Sequence, residues 1–364
     1  MSWKNRLWFI QNNTTDAWFL NTNAITGAAS NFDFGPLFVH GGDLKAMATW
    51  TLDSGTGVDD KLVIYSAGGD ILIYEGTDPT SAATFRIVGK WYGGRPPSGR
   101  RFMSKYGGDL AFISEQGVDY MSRVFQGRGE IDPETQQQDS ARRFNEVIGR
   151  DVRATRNRNF WQFIWLPSEE CAIVTTPHSE IKTGYQYCFS PLPLAWSRHV
   201  GMGMTCAEEH EGWLYHGTAV GTVIRAFDGT TDDRLTDGTP GRAVIGDLQT
   251  AFVAPADDRA SLKRPLLVQP IFLSSGIPSV KLKILTEWTI EAVAGSPSYI
   301  LPTDSLWDQA LWDQATWQAE TGTYMAWVGV VGLGSYASLR MSLQAAPRTV
   351  FTAWKYVYEP GGIM

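Results

Sequence analysis

Four groups of residues in this chain have types and spacings that could do chemistry. His210 and His216 are the closest histidine pair and stand beside Glu208, Glu209 and Glu211. Imidazoles and carboxylates together can hold a transition metal. The gap across Gly212 and Trp213 is not a standard ligand spacing, however, and a solvated turn followed by a strand accounts for it more simply. Asp228, Asp232, Asp233 and Asp237 crowd the segment DGTTDDRLTDG. Carboxylates at that density can bind calcium, but their order lacks the alternation of an EF-hand loop, and a polar loop between modules is the plainer reading. Arginines form two clusters: Arg95, Arg100 and Arg101 in the loop GGRPPSGRR, and Arg142, Arg143, Arg150, Arg153, Arg156 and Arg158 further on. Guanidinium forks suit carboxylates and phosphates, so both clusters are candidate docking surfaces for an acidic partner; the alternative is a solvated basic face balanced by nearby Glu and Asp. Finally, Trp307, Trp312 and Trp317 recur every five residues. Neither helix nor strand puts that period on one face. Repeated tight turns with stacked indoles fit it, as packing, as an interface, or as a platform for sugar rings.

Sharper catalytic signatures are missing from the sequence. There is no Walker A loop, no GxSxG elbow, no HExxH helix and no GxGxxG opening a helix after a strand. A glycosidase needs two carboxylates facing one cleft. Among 38 acidic residues, nothing singles out such a pair. The expectation is a non-enzymatic protein with no catalytic residue, metal ligand or cofactor site.

The elements that would position these groups are strands and turns. RLWFI and DAWFL flank the polar turn QNNTT, which reads as a hairpin. KLVIYS and DILIYEG flank Gly68-Gly69, where glycine supplies the positive φ of a tight turn. TFRIVGKWY reads as a further strand, and GGDLAFISEQGVDYM repeats the strand, turn and strand pattern. FWQFIWL with CAIVTT, YQYCF with LAWS, and the two halves of GWLYHGTAVGTVIRAF continue it. Strand pairs therefore recur at about the 40–50-residue spacing of propeller blades. A pair of β-sandwiches fits the pattern as well. One segment departs from it: residues 131–148 open with Asp132-Pro133 and continue with helix formers up to Gly149, predicting a helical insertion. The expected fold is all-β: a β-propeller-like core over 1–235 with that insertion, and a C-terminal β-module over 236–364 that either completes the propeller or forms a tip.

Composition narrows the partners. The chain has 364 residues, of which 43% are hydrophobic and only 19% charged. A surface this poor in charge is expected to be partly covered. A net charge of −7 argues against holding DNA by neutralising its phosphates, though not against a wall that DNA slides past. Cys171, Cys188 and Cys206 are odd in number and widely spaced, so they read as buried small hydrophobes of a reducing cytoplasm. No signal peptide and no apolar stretch long enough to span a bilayer is visible.

Several blocks are similar to a known family. NRLWFIQNNTTDAWFLNTNAITGAASNFDFG, the stretch from TWTLDSG through YEGTDP to GGRPPSGRR, YGGDLAFISEQGVDYMS, the block from YQYCFSPLPLAW to FDGTTDD, and the C-terminal WKYVYEPGGIM resemble the propeller-containing nozzle (distal tail-tube) proteins of short-tailed bacteriophages. The resemblance is collinear and covers most of the chain. It implies a structural virion protein assembled in the host cytoplasm as a homohexameric ring. The ring would sit below a head-to-tail adaptor, carry fibre, spike or needle proteins, and pass double-stranded DNA without binding it specifically. It implies no catalytic residues. Family members have a longer region before this block, so either another chain supplies that part or the ring is simpler. Two rivals predict different behaviour: a glycan-binding propeller adhesin, and a propeller polysaccharide hydrolase.

Overall fold

A computed structural model describes residues 1–53, 58–126, 137–177, 184–191, 195–229, 231–232, 241–254, 261–293, 322–344 and 347–363. The chain divides into two compact units, Met1–Phe227 and Asp228–Met364.

Unit 1 is a succession of small antiparallel meanders. The first joins Ser2–Trp3, Arg6–Ile10, Asp16–Phe19 and Ser30–Asp33; the second joins Leu44–Asp53, Val58–Ser66, Asp70–Gly76 and Phe85–Tyr92. Met103–Tyr106, Asp109–Ser114 and Gly117–Tyr120 make the third. Gln162–Leu166, Cys171–Thr175, Tyr185–Ser190 and Ala195–Val200 make the fourth, and Met204–His210, Trp213–Thr218 and Val223–Ala226 the fifth. The hairpins read from turn chemistry are present, including Trp8 opposite Phe19 and Leu62 opposite Tyr74.

Strand periodicity explains how these sheets pack. Along Val58–Ser66, Leu62 and Ile64 enter one apolar cluster with Trp3, Trp8, Phe19 and Phe85, while Val63 and Tyr65 enter another with Phe102, Phe112 and Trp161. Successive side chains point to opposite faces, so a sheet buried on both sides must read as an unbroken apolar run. Gln162–Leu166 repeats the arrangement: Phe163 joins the same large cluster as Phe112, and Ile164 and Leu166 join a third with Met204 and Leu214.

The expected propeller is corrected. The fold is all-β with little helix, but no sheet among the described residues is closed or curled into a barrel, solenoid or propeller. Each meander completes its backbone ladder within its own stretch of chain. Recurring hairpins therefore specify successive small sheets, and closure is a further property that recurrence does not encode. The helical insertion is also longer than the sequence predicts at its C-terminal end: the helix spans Gln137–Thr155 and passes through Gly149. Its own Ile148 and Val152, one turn apart on one face, are buried in the large cluster of unit 1.

In unit 2, Ile245–Gln249, Ala337–Gln344 and Val280–Thr286 form one sheet. The long strand Ser261–Ser274 pairs with Gly322–Met325, Val328–Gly329 and Thr349–Ile363 in another. Val268, Phe272, Leu282, Ile284, Leu339 and Met341 form its core.

Candidate functional site

Glycines bring one set of polar residues together in unit 1. The turn Gly68-Gly69 packs so closely on its neighbours that a Cβ on Gly69 would lie 2.7 Å from the Tyr92 ring and 2.8 Å from the Gly94 carbonyl carbon. The Gly69 φ of +100° is itself one that side chains rarely adopt. Gly93 N–H donates to the Gly69 carbonyl at 2.9 Å, and Tyr65 Oη donates to the Gly94 carbonyl at 2.8 Å. A Cβ on Gly94 would meet Ser114 Oγ at 3.0 Å, and Glu115 N–H donates to the Arg95 carbonyl at 2.9 Å. The seam ends on the helix: a Cβ on Gly149 would meet the Glu115 carbonyl at 2.8 Å. Three turns and a helix are thus joined backbone to backbone.

The seam displays a connected polar group. The Asp70 carboxylate, 5% exposed, accepts His40 N–H at 2.7 Å and faces His40 Nδ1 at 2.7 Å. A carboxylate only accepts, so this pairing selects the imidazole form with its proton on Nδ1. The His40 ring lies on Tyr92, with centroids 4.5 Å apart. Tyr92 Oη donates to Glu115 at 3.2 Å, and Arg156 Nη1 stands 3.8 Å from the other Glu115 carboxylate oxygen. Arg153 donates to the Glu115 carbonyl. Burial, and then the Glu115 charge, push the Tyr92 hydroxyl above its ordinary range, so it remains a donor at neutral pH. The site is an open shelf: His40 is half exposed, and Tyr92 and Arg95 are exposed. Two clefts of about 280 and 340 Å³ in unit 1 are lined by other residues, among them Lys4, Glu75 and Arg86 in the first and Met1, Trp8 and Arg100 in the second.

The sequence-predicted residues are distributed as follows. Arg95, Arg153 and Arg156, drawn from both arginine clusters, meet around Glu115 and Tyr92. Arg150 points to solvent 4.0 Å from Asp151, and Arg158 is exposed. Arg100 donates to Asn12 at 3.3 Å, and exposed Arg101 gives its carbonyl to Phe163 N–H. Arg142 and Arg143 belong to the helix, but their side chains fall outside the described residues, as do Trp307, Trp312 and Trp317 entirely. Asp233 and Asp237 also lie outside them, so the calcium reading has no geometry. His210 and His216 do not converge: His210 is exposed beside Glu211, while His216 is buried, and burial holds its imidazole below the usual range. Among the described residues no group of three His, Cys, Asp or Glu side chains is placed to hold a metal ion. Cys171 and Cys188 are buried and Cys206 half-buried, all three as free thiols.

Sequence reasoning missed His40, Asp70, Tyr92 and Glu115. A signal was present: Gly-Gly-Asp occurs at 41–43, 68–70 and 107–109, and Gly-Gly-Arg at 93–95. Each acid anchors a turn or a neighbour. Asp43 pairs with Lys45 at 3.2 Å, Asp70 with His40, and Asp109 accepts Ser122 N–H at 3.1 Å.

No protein-family model matches the chain, and no curated protein matches it. A search of solved structures returns a glycoside hydrolase family 43 arabinoxylan arabinofuranohydrolase from Bacillus subtilis in complex with cellotetraose, 10% identical, covering 86% of this chain and 79% of that one, with a TM-score of 0.20. A TM-score that low carries no argument about this chain. The expectation of a phage-tail nozzle is nevertheless corrected. No family model and no curated protein supports a virion or tail-tube role for this chain. The flat exclusion of catalysis is corrected too, because the fold connects two carboxylates, Asp70 and Glu115, through the His40–Tyr92 ring pair, where the sequence singled out no such pair.

Proposed function

We propose that unit 1 recognises a saccharide on the shelf formed by His40, Asp70, Tyr92 and Glu115. The observation that carries this reading is the exposed His40–Tyr92 ring pair with a carboxylate bonded at each end. A sugar ring has an apolar C–H face and a rim of hydroxyls. Aromatic faces suit the first, and a fixed, partly exposed carboxylate such as Glu115, which accepts only, suits the second. The openness of the shelf favours a polymer that runs across it over a small molecule that would need enclosure.

Calorimetric titration of the full chain with a panel of soluble oligosaccharides tests the proposal. Wild type binds at least one of them, and Tyr92→Ala weakens that binding at least tenfold while the protein keeps its circular-dichroism spectrum. If no saccharide binds at millimolar concentration, the proposal fails. Two carboxylates in one site are also what glycoside hydrolysis requires. Release of reducing ends, abolished by both Asp70→Asn and Glu115→Gln, would extend recognition to turnover.

A further inference from the structure

We infer that the saccharide taken by this shelf is anionic, carrying a carboxylate or an ester oxyanion that Arg95 reads; this rests on the proposed recognition of a saccharide by unit 1. The charges around the shelf do not cancel. Asp70 is nearly buried and bonded to His40, and Glu115 is paired with Arg156 at 3.8 Å. Arg95 has no carboxylate within ion-pair distance among the described residues, and Arg153 donates to a neutral carbonyl. Two guanidiniums therefore have no carboxylate partner among the described residues, in a chain whose net charge is −7.

Arg95 is also mounted rigidly. Gly94 before it and Pro96 and Pro97 after it are buried, and its carbonyl accepts Glu115 N–H at 2.9 Å. Only the side chain is free, and it is exposed. A guanidinium on a fixed base spends little conformational freedom when it grips an oxyanion with two parallel hydrogen bonds. The Arg95 carbonyl is bonded to the same Glu115 whose carboxylate accepts the Tyr92 hydroxyl at 3.2 Å, so an anion held by Arg95 would lie at the Glu115 end of the ring pair. The chemistry shared by uronate and sulfate ester is a planar or tetrahedral oxyanion on a sugar, and an experiment must separate these two sources.

The probes are oligogalacturonate, its methyl-esterified neutral form, and a sulfated oligosaccharide of matched length, titrated into the full-length protein at low and at physiological salt. Arg95→Gln is compared with Arg100→Gln, which removes the same charge from the exposed loop residue bound to Asn12. At least one anionic probe is expected to bind tenfold or more tighter than the neutral ester, with affinity falling as salt rises. Whichever probe binds tighter, uronate or sulfate, identifies the source of the oxyanion. Arg95→Gln should remove most of the advantage of the anion, and Arg100→Gln should leave it in place. Equal binding of charged and neutral probes, with Tyr92→Ala weakening both, would overturn this inference and leave saccharide recognition standing. An anion preference that survives Arg95→Gln would overturn it as well. Failure of all probes and of a neutral glycan panel would remove both readings.

Discussion

The two units are built from the same material, antiparallel hairpins, and bury it differently. In unit 1, Asp109–Ser114 has Phe112 and Ile113 both fully buried, although they point to opposite faces. Cys171–Thr175 is buried along its whole length. In unit 2, Ser261–Ser274 buries Phe272 completely but leaves Leu273 41% exposed. The face carrying Leu273 continues across its pairing partners through Met325, Val350 and Val357, all exposed. A sheet packed on two sides has no face left for chemistry, so where unit 1 is packed that way its polar groups sit at strand ends. A sheet packed on one side keeps a broad apolar surface available.

The largest test of this contrast is a set of four truncations. Phe112→Ala and Phe272→Ala should each cost about 3–5 kcal/mol in denaturant unfolding. Ile113→Ala should cost about 2–4 kcal/mol, and Leu273→Ala under about 0.5 kcal/mol. If Ile113→Ala proves as mild as Leu273→Ala, two-sided burial in unit 1 is wrong. If Leu273→Ala proves as costly as Phe272→Ala, the outer face in unit 2 is covered in solution.

A smaller effect is expected at the seam. Gly69→Ala must place a side chain at φ +100° against Tyr92 and Gly94. It should cost roughly 1–3 kcal/mol, and it should weaken saccharide binding even under conditions where the protein remains folded. Gly221 also has a positive φ, +85°, but open space around it. Gly221→Ala should therefore lose stability through backbone strain alone and leave binding intact, as titration of both variants would show.

The smallest effect concerns the buried ion pair of unit 1. Lys61, 6% exposed, contacts Glu75 at 2.9 Å across the paired strands. The hydrogen bond from Lys61, followed by that from Arg86, holds the Glu75 carboxyl below its ordinary range. A lowered folded-state value stabilises the protein above the unfolded value, near 4.5, and that stability is lost as pH falls below it. Lys61→Met should cost about 1 kcal/mol at pH 7 and flatten the loss of stability between neutral pH and pH 3. Unfolding curves at several pH values check both. An unchanged acid slope would mean that Arg86 alone sets the Glu75 carboxyl.

How much of this was legible depends on what each feature encodes. Hairpins were legible where turn chemistry sits between apolar runs, as at Gly68-Gly69. The pairing of Met204–His210 with Trp213–Thr218 was missed because its turn is Glu211-Gly212, and a glutamate at φ +51° gives no warning of itself. Gly149 read as a helix stop, but it is a contact point: the helix continues because the missing side chain lets it rest on the Glu115 carbonyl. Closure was inferred from recurrence, and recurrence of hairpins is compatible with separate sheets. The site was illegible for a related reason. Asp70 opens one strand, Tyr92 closes another and Glu115 lies in a turn, and their convergence depends on glycine contacts that no local pattern displays. Only the tripled Gly-Gly-Asp hinted at it.

The shelf is held by main-chain contacts, from the Gly93 N–H to Gly69 carbonyl bond to the Ser98 N–H to Arg156 carbonyl bond at 2.7 Å. Its shape is thereby separated from its lettering. Exposed positions such as His40 and Arg95 can be rewritten without disturbing the frame beneath them, so a library varied only there would sample new specificities while inheriting one scaffold. The glycines would be the part that such a lineage could not afford to diversify.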